Sequence, residues 1–155
     1  MKQVGDFVPD LLGTDQDGKD VRRSDYPGKN IILYFYPKDN TPGCTAEACS
    51  LAGDYDEFRD KGYVVIGVSK DSAASHRKFI DKYALPFVLV SDTEHRLCEE
   101  MGVWQEKKMA GRTYMGIVRT TFVIAPDGKI SHVVGKVDTK AAAAQLKGIL
   151  GDGNV

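Results

Sequence analysis

Cysteine is scarce in this sequence, with three among 155 residues. So small and odd a number excludes the disulfide framework of a small secreted domain and leaves reactivity, metal binding or plain burial to explain each thiol. No apolar run approaches the ~18 residues of a membrane span, and the opening MKQVGDFVPD has no apolar export core. The expectation is a soluble, cytoplasmic protein with no membrane partner. Neither sign of charge dominates: 21 Lys and Arg face 22 Asp and Glu, a net charge of -1, which offers no broad attraction to nucleic acid or anionic lipid. A glycine-rich phosphate loop, a C-x-x-C pair, an internal repeat and a low-complexity block are all missing. What remains is a chain with 42% hydrophobic and 28% charged residues, enough to bury one core unaided, so a single domain over 1–155 is expected.

Asp17-Gly18, between short apolar pieces in a stretch rich in Gly, Asp and Pro, predicts a peripheral N-terminal β-hairpin. Asn30 to Tyr36 (NIILYFY) is a continuous β-branched and aromatic run stopped by Pro37, the pattern of a strand buried on both faces. Helical spacing of Ala48, Leu51, Ala52, Tyr55 and Phe58 predicts a helix from Pro42 to Lys61. Further strands are expected at Val64–Ser69, Phe87–Val90, Ile117–Ala125 and Lys129–Val134, the last two joined at Asp127-Gly128. Helices are expected at Ser72–Tyr83, Thr93–Met101 and Thr139–Leu150. Gln105 to Gly116 shows no clear period and reads as a long surface loop. The alternation implies an α/β fold, a central mixed sheet with helices on both faces.

The stretch Tyr36-Pro37-Lys38-Asp39-Asn40-Thr41-Pro42-Gly43-Cys44 packs a strand end, a loop and a helix start into nine residues. Thr41 suits the N-cap and Pro42 the first helical position, which puts Cys44 at N3, where amide N–H groups and the helix dipole favour a thiolate. Only the thiolate is a useful nucleophile. The residues alone also allow Cys44 to be merely a small apolar side chain in a first turn. Cys49 follows five residues later. Ideal helix geometry separates the two Cα atoms by about 8.7 Å, beyond the roughly 7 Å that a disulfide spans. Any bond between them requires the first helical turns to unwind and is of the reducible kind; on its own, Cys49 reads equally well as a structural thiol.

Pro37-x-x-x-Thr41-x-x-Cys44 resembles the active-site signature of the peroxiredoxins, and Cys49 sits where the peroxiredoxin Q, or bacterioferritin-comigratory-protein, subgroup carries its resolving cysteine. The resemblance runs through FVPDL, FYPKDNTPGCTAEAC, LVSD, GVW, RTTFVI and the final DGKI. It implies a thioredoxin-like fold and a peroxidase in which Cys44 attacks hydrogen peroxide or an organic hydroperoxide. Cys49 then closes a disulfide on Cys44, and thioredoxin or a similar dithiol reopens it, with no cofactor. It also implies that the Thr41 hydroxyl bonds the sulfur or bound peroxide, that Pro37 shields the thiolate, and that Arg119 completes the pocket. Without it, Arg119 would read as a solvated charge at a strand entrance, Thr41 as an ordinary cap for the Cys44 amide, and Pro37 as a strand stop. An intramolecular resolving thiol removes the need for a partner copy, so a monomer is expected.

Other readings are a non-enzymatic redox sensor using the same disulfide, and a zinc-binding structural module built from Cys44, Cys49, His95 and Cys98. A buried Cys98 and a surface His95 are the plainer reading, and no metal is expected. His76 and His132 read as surface positions, and no hydrolase signature surrounds either.

Overall fold

The computed structural model describes residues 1–151. Its main sheet has seven strands in the order β2-β1-β5-β4-β3-β8-β9. In chain order these are β1 (Leu11–Thr14), β2 (Asp20–Arg22), β3 (Asn30–Phe35), β4 (Tyr63–Ser69), β5 (Val88–Ser91), β8 (Thr120–Ile124) and β9 (Ile130–Val134). A separate two-stranded ribbon joins β6 (Trp104–Met109) to β7 (Arg112–Ile117). The helices are α1 (Pro42–Gly53), α2 (Tyr55–Asp60), α3 (Ala73–Tyr83), α4 (Arg96–Met101) and α5 (Ala142–Leu150). β3, β4 and β5 run parallel through helical crossovers, whereas β8 adds antiparallel to β3 and β9 antiparallel to β8. Among the described residues no helix is long and apolar enough to cross a membrane.

β3 explains why its sequence is apolar without alternation. Ile32 and Tyr34 face one core with Cys44, Ala48 and Leu51 of α1, Phe58 of α2, Phe79 of α3 and Leu146 of α5. Ile31, Leu33 and Phe35 face a second core with Leu97, Cys98 and Met101 of α4. Helices therefore cover both faces, and a strand between two cores has no polar face to show. Gly67 on β4 lets the Tyr34 ring lie across the sheet: a Cβ there would stand 2.7 Å from Leu89 Cδ2 and 2.8 Å from Tyr34 Cζ.

Three expectations need correcting. The helix from Pro42 breaks at Asp54 (φ -108°, ψ 13°), so α1 and α2 are separate. The supposed loop from Gln105 to Gly116 is the β6–β7 hairpin, turned by Ala110 and Gly111, both at positive φ, as a tight two-residue turn requires. Both strands are largely exposed, which is why no apolar alternation marks them. Finally, the N-terminal hairpin does more than flank the fold: β1 pairs with β5, and Val8, Leu12 and Val21 are buried in the second core.

Candidate active site

The site forms where β3 ends and α1 begins. Cys44 occupies the first turn of α1 and is 1% exposed. Arg119 lies between β7 and β8; its Nη2 donates to Cys44 Sγ at 3.2 Å, and its guanidinium passes close to Gly43. β8 pairs with β3, so the strand that launches α1 also fixes the arginine opposite it. Burial works against the guanidinium, yet the bond and charge of Cys44, together with Glu47, hold Arg119 above its ordinary pKa. A guanidinium fixed against the sulfur can donate both to it and to an oxygen bound beside it.

Glu47 was not expected. It sits one turn after Cys44 on the buried side of α1, fully enclosed, and its Oε1 accepts from Arg119 Nη1 at 2.6 Å. Its Oε2 and the Tyr34 hydroxyl are buried and have no hydrogen-bond partner among the described residues. Burial raises the Glu47 pKa to about 7 against the opposing pull of Arg119. The sequence did hold a signal: Glu47 precedes Ala48 and Leu51 on the stripe that α1 turns inward.

The loop carrying the site is tied down at Asp39. Its backbone N–H donates to Asp71 Oδ2 at 2.8 Å, and its carboxylate accepts from Tyr36 Oη at 2.5 Å and Ser75 Oγ at 2.7 Å. His76 Nδ1 lies 2.7 Å from the same carboxylate, and His76 Nε2 faces the Val90 carbonyl at 3.0 Å. His76 is thus fully buried rather than a surface residue. Burial alone would raise the Asp39 pKa, but the bonds from His76, Tyr36 and Ser75 bring it below the usual carboxylate value.

Thr41 is the N-cap residue of α1, but its hydroxyl donates to the Lys38 carbonyl at 2.9 Å and makes no side-chain cap bond. Among the described residues the hydroxyl bonds neither the Cys44 sulfur nor the Cys44 amide, so the first-turn amides are not taken up by the cap side chain. Such amides suit an anionic or polar oxygen ligand. Pro37 lies half-buried just beyond β3.

The AhpC/TSA family model matches residues 4–133. The chain belongs to the AhpC/TSA family. It is 45% identical to Peroxiredoxin Bcp of Bacillus subtilis over 150 residues, covering 97% of this chain and 96% of that protein. With Peroxiredoxin Bcp of Escherichia coli it shares 45% identity over 131 residues, 84% of each chain. A cysteine variant of PrxQ from Xylella fastidiosa superposes with a TM-score of 0.88 at 33% identity, covering 97% and 96% of the two chains. The chain is therefore an enzyme of the peroxiredoxin class with the thioredoxin-like fold, in its PrxQ/Bcp branch.

Within this peroxiredoxin, Cys49 is exposed on α1 while Cys44 points into the core, and both thiols are free. Cys98 lies in the core on the opposite side of the sheet from Cys44. Burial, with Asp92 adding to it, pushes the Cys98 thiol well up and keeps it inert. The Cys44, Cys49, His95 and Cys98 zinc set is thereby overturned. Among the described residues the one group spaced for a metal is Asp39, Asp71 and His76, whose atoms already bond one another or the adjoining backbone. His95 is instead half-buried, stacked on Trp104 with ring centroids 4.0 Å apart.

Proposed function

We propose that Cys44 is the peroxidatic nucleophile and Cys49 its resolving partner, in a cycle reduced by thioredoxin or a similar dithiol. The observation that carries this reading is the 3.2 Å bond from Arg119 to a buried Cys44 sulfur in the first turn of α1. The thiolate attacks the terminal oxygen of a hydroperoxide. The S–O bond forms as the O–O bond breaks, and the oxygen that leaves with the electron pair takes a proton to become water or an alcohol. Arg119 and the α1 amides stabilise the charge developing on the oxygens, as fixed donors do in an oxyanion hole. The Thr41 hydroxyl is assigned to holding the peroxide beside the sulfur, and Pro37 to keeping water from it.

Cys49 then attacks the Cys44 sulfenic acid, expelling water and leaving a disulfide. Because the two thiols leave α1 on different sides, the first turns of α1 must unwind for the sulfurs to meet. That places the conformational change in the helix, and a dithiol reductant lets α1 re-form. One chain supplies both thiols, so the working unit is taken to be the monomer. The bacterioferritin comigratory protein of Xanthomonas campestris has alkyl peroxide reduction activity, and the present chain covers all of it at 32% identity with a TM-score of 0.85. Organic hydroperoxides are accordingly proposed as substrates beside hydrogen peroxide.

The test follows NADPH consumption with thioredoxin, thioredoxin reductase and either peroxide. Cys44→Ser should be inactive, and Cys49→Ser should lose the thioredoxin-linked turnover. Turnover that persists in Cys44→Ser would overturn the assignment.

A further inference from the structure

The β6–β7 hairpin carries a second cation toward the thiol. Lys107 is half-buried, although its strand neighbours Glu106 and Lys108 are exposed. Gly116, on the facing strand, makes this possible. A Cβ at Gly116 would lie 3.1 Å from Lys107 Cδ and 3.2 Å from Tyr114 Cε2, so the lysine stem lies across a strand position that has no side chain. At its end, Nζ donates to the Ile117 carbonyl at 2.9 Å, two residues before Arg119. Ile117 ends β7, and Arg119 follows it in the short link to β8. Burial and the charge of Arg119 lower the Lys107 pKa, and the charge of Cys44 opposes them.

Counting charges gives this lysine a task. Arg119 donates to Cys44 with one nitrogen and to Glu47 with another, so an ionised Glu47 spends much of the guanidinium charge. Tyr34, which faces the same groups from β3, is held neutral because burial, with Glu47 and Cys44 behind it, raises its pKa far above the ordinary value. An ionised Cys44, an ionised Glu47 and Arg119 alone would leave one net negative charge in a largely dry pocket. Such a charge is disfavoured unless it is paired. One further cation would bring the group to neutrality, and Lys107 is a lysine on which the charges of Arg119 and Cys44 act.

We propose that Lys107 is a positioning residue of the peroxidatic site: held by the Ile117 carbonyl, its ammonium stabilises the Cys44 thiolate alongside Arg119 whenever Glu47 is ionised. This rests on the reading of Cys44 as the attacking thiol. It also gives the exposed hairpin a purpose, since the ribbon projects from the fold yet delivers a charge inward.

The test is the pH dependence of Cys44 alkylation by iodoacetamide, read by mass spectrometry of the Cys44 peptide in the reduced, full-length chain. It compares wild type with Lys107→Arg, Lys107→Gln, Lys107→Met and the control Lys108→Met. The midpoint should rise by about one pH unit in Lys107→Met and Lys107→Gln, and stay in place in Lys107→Arg and Lys108→Met. Lys107→Gln keeps a donor for Ile117 without the charge, and it serves alone if Lys107→Met does not fold. A Gln variant with the wild-type midpoint would overturn the proposal, because the hydrogen bond and not the charge would then matter. Alkylation consumes no peroxide, so a failed peroxidase assay and a failed charge effect remain distinguishable.

Discussion

Glu47→Gln isolates the most unusual group in the site. Glutamine keeps the shape of the side chain and an oxygen to accept from Arg119, but it is neutral at every pH. In the folded protein the Glu47 pKa rises from 4.5 to about 7, driven by burial and opposed by Arg119. Each unit corresponds to about 1.4 kcal/mol, so ionising the enclosed carboxylate costs the fold about 3 kcal/mol. Between pH 4.5 and 7 the native state therefore holds a proton that the unfolded chain has released. Stability contributed by Glu47 must fall as pH rises through that window and level off above it. Urea unfolding of both reduced proteins at pH 5, 6, 7 and 8 measures this. Groups common to both cancel in the difference, and the stability of wild type relative to Glu47→Gln should drop by about 3 kcal/mol from pH 5 to pH 8. A flat difference would refute the reasoning, since the 2.6 Å bond to Arg119 would then offset the whole penalty of burial.

Arg119→Met removes both the bond to Cys44 and the partner of Glu47, and kcat/KM for peroxide should fall roughly 100-fold or more. A loss of less than tenfold would move the electrostatic stabilisation elsewhere. Asp39→Asn strips the charge from a carboxylate that holds Tyr36, Ser75 and His76; unfolding in urea should show a loss of roughly 3 kcal/mol. Because the Asp39 pKa lies below the ordinary value, the wild-type contribution should be present at neutral pH and disappear as pH falls through the acid range. Gly67→Ala forces a methyl against Leu89 and the Tyr34 ring, and should destabilise by about 1–3 kcal/mol in the same assay.

The sheet was legible in the sequence because its central strands, β3 and β4, are apolar on both faces and closed by punctuation such as Pro37. The exposed hairpin was not, because strands with two wet faces carry no apolar alternation; only Ala110-Gly111 hinted at a turn. Cys44 was marked by its place after Thr41-Pro42-Gly43, which is local and therefore readable. Arg119 reaches Cys44 across 75 residues of chain, and only the resemblance to peroxiredoxins could connect them. Glu47 and His76 were missed for one reason: a polar residue looks solvated until its partners arrive from elsewhere. The partners of His76 come from Asp39 and Val90, and that of Glu47 from Arg119.

The proposed cycle requires that one thiol, Cys44, meet the peroxide. The direct measurement treats reduced Cys49→Ser with one equivalent of hydrogen peroxide in the presence of dimedone and maps the adduct by peptide mass spectrometry. A single sulfenic acid adduct on Cys44 is expected, formed within the time in which peroxide disappears. An adduct on Cys98, or peroxide consumption that leaves Cys44 unmodified, would contradict it.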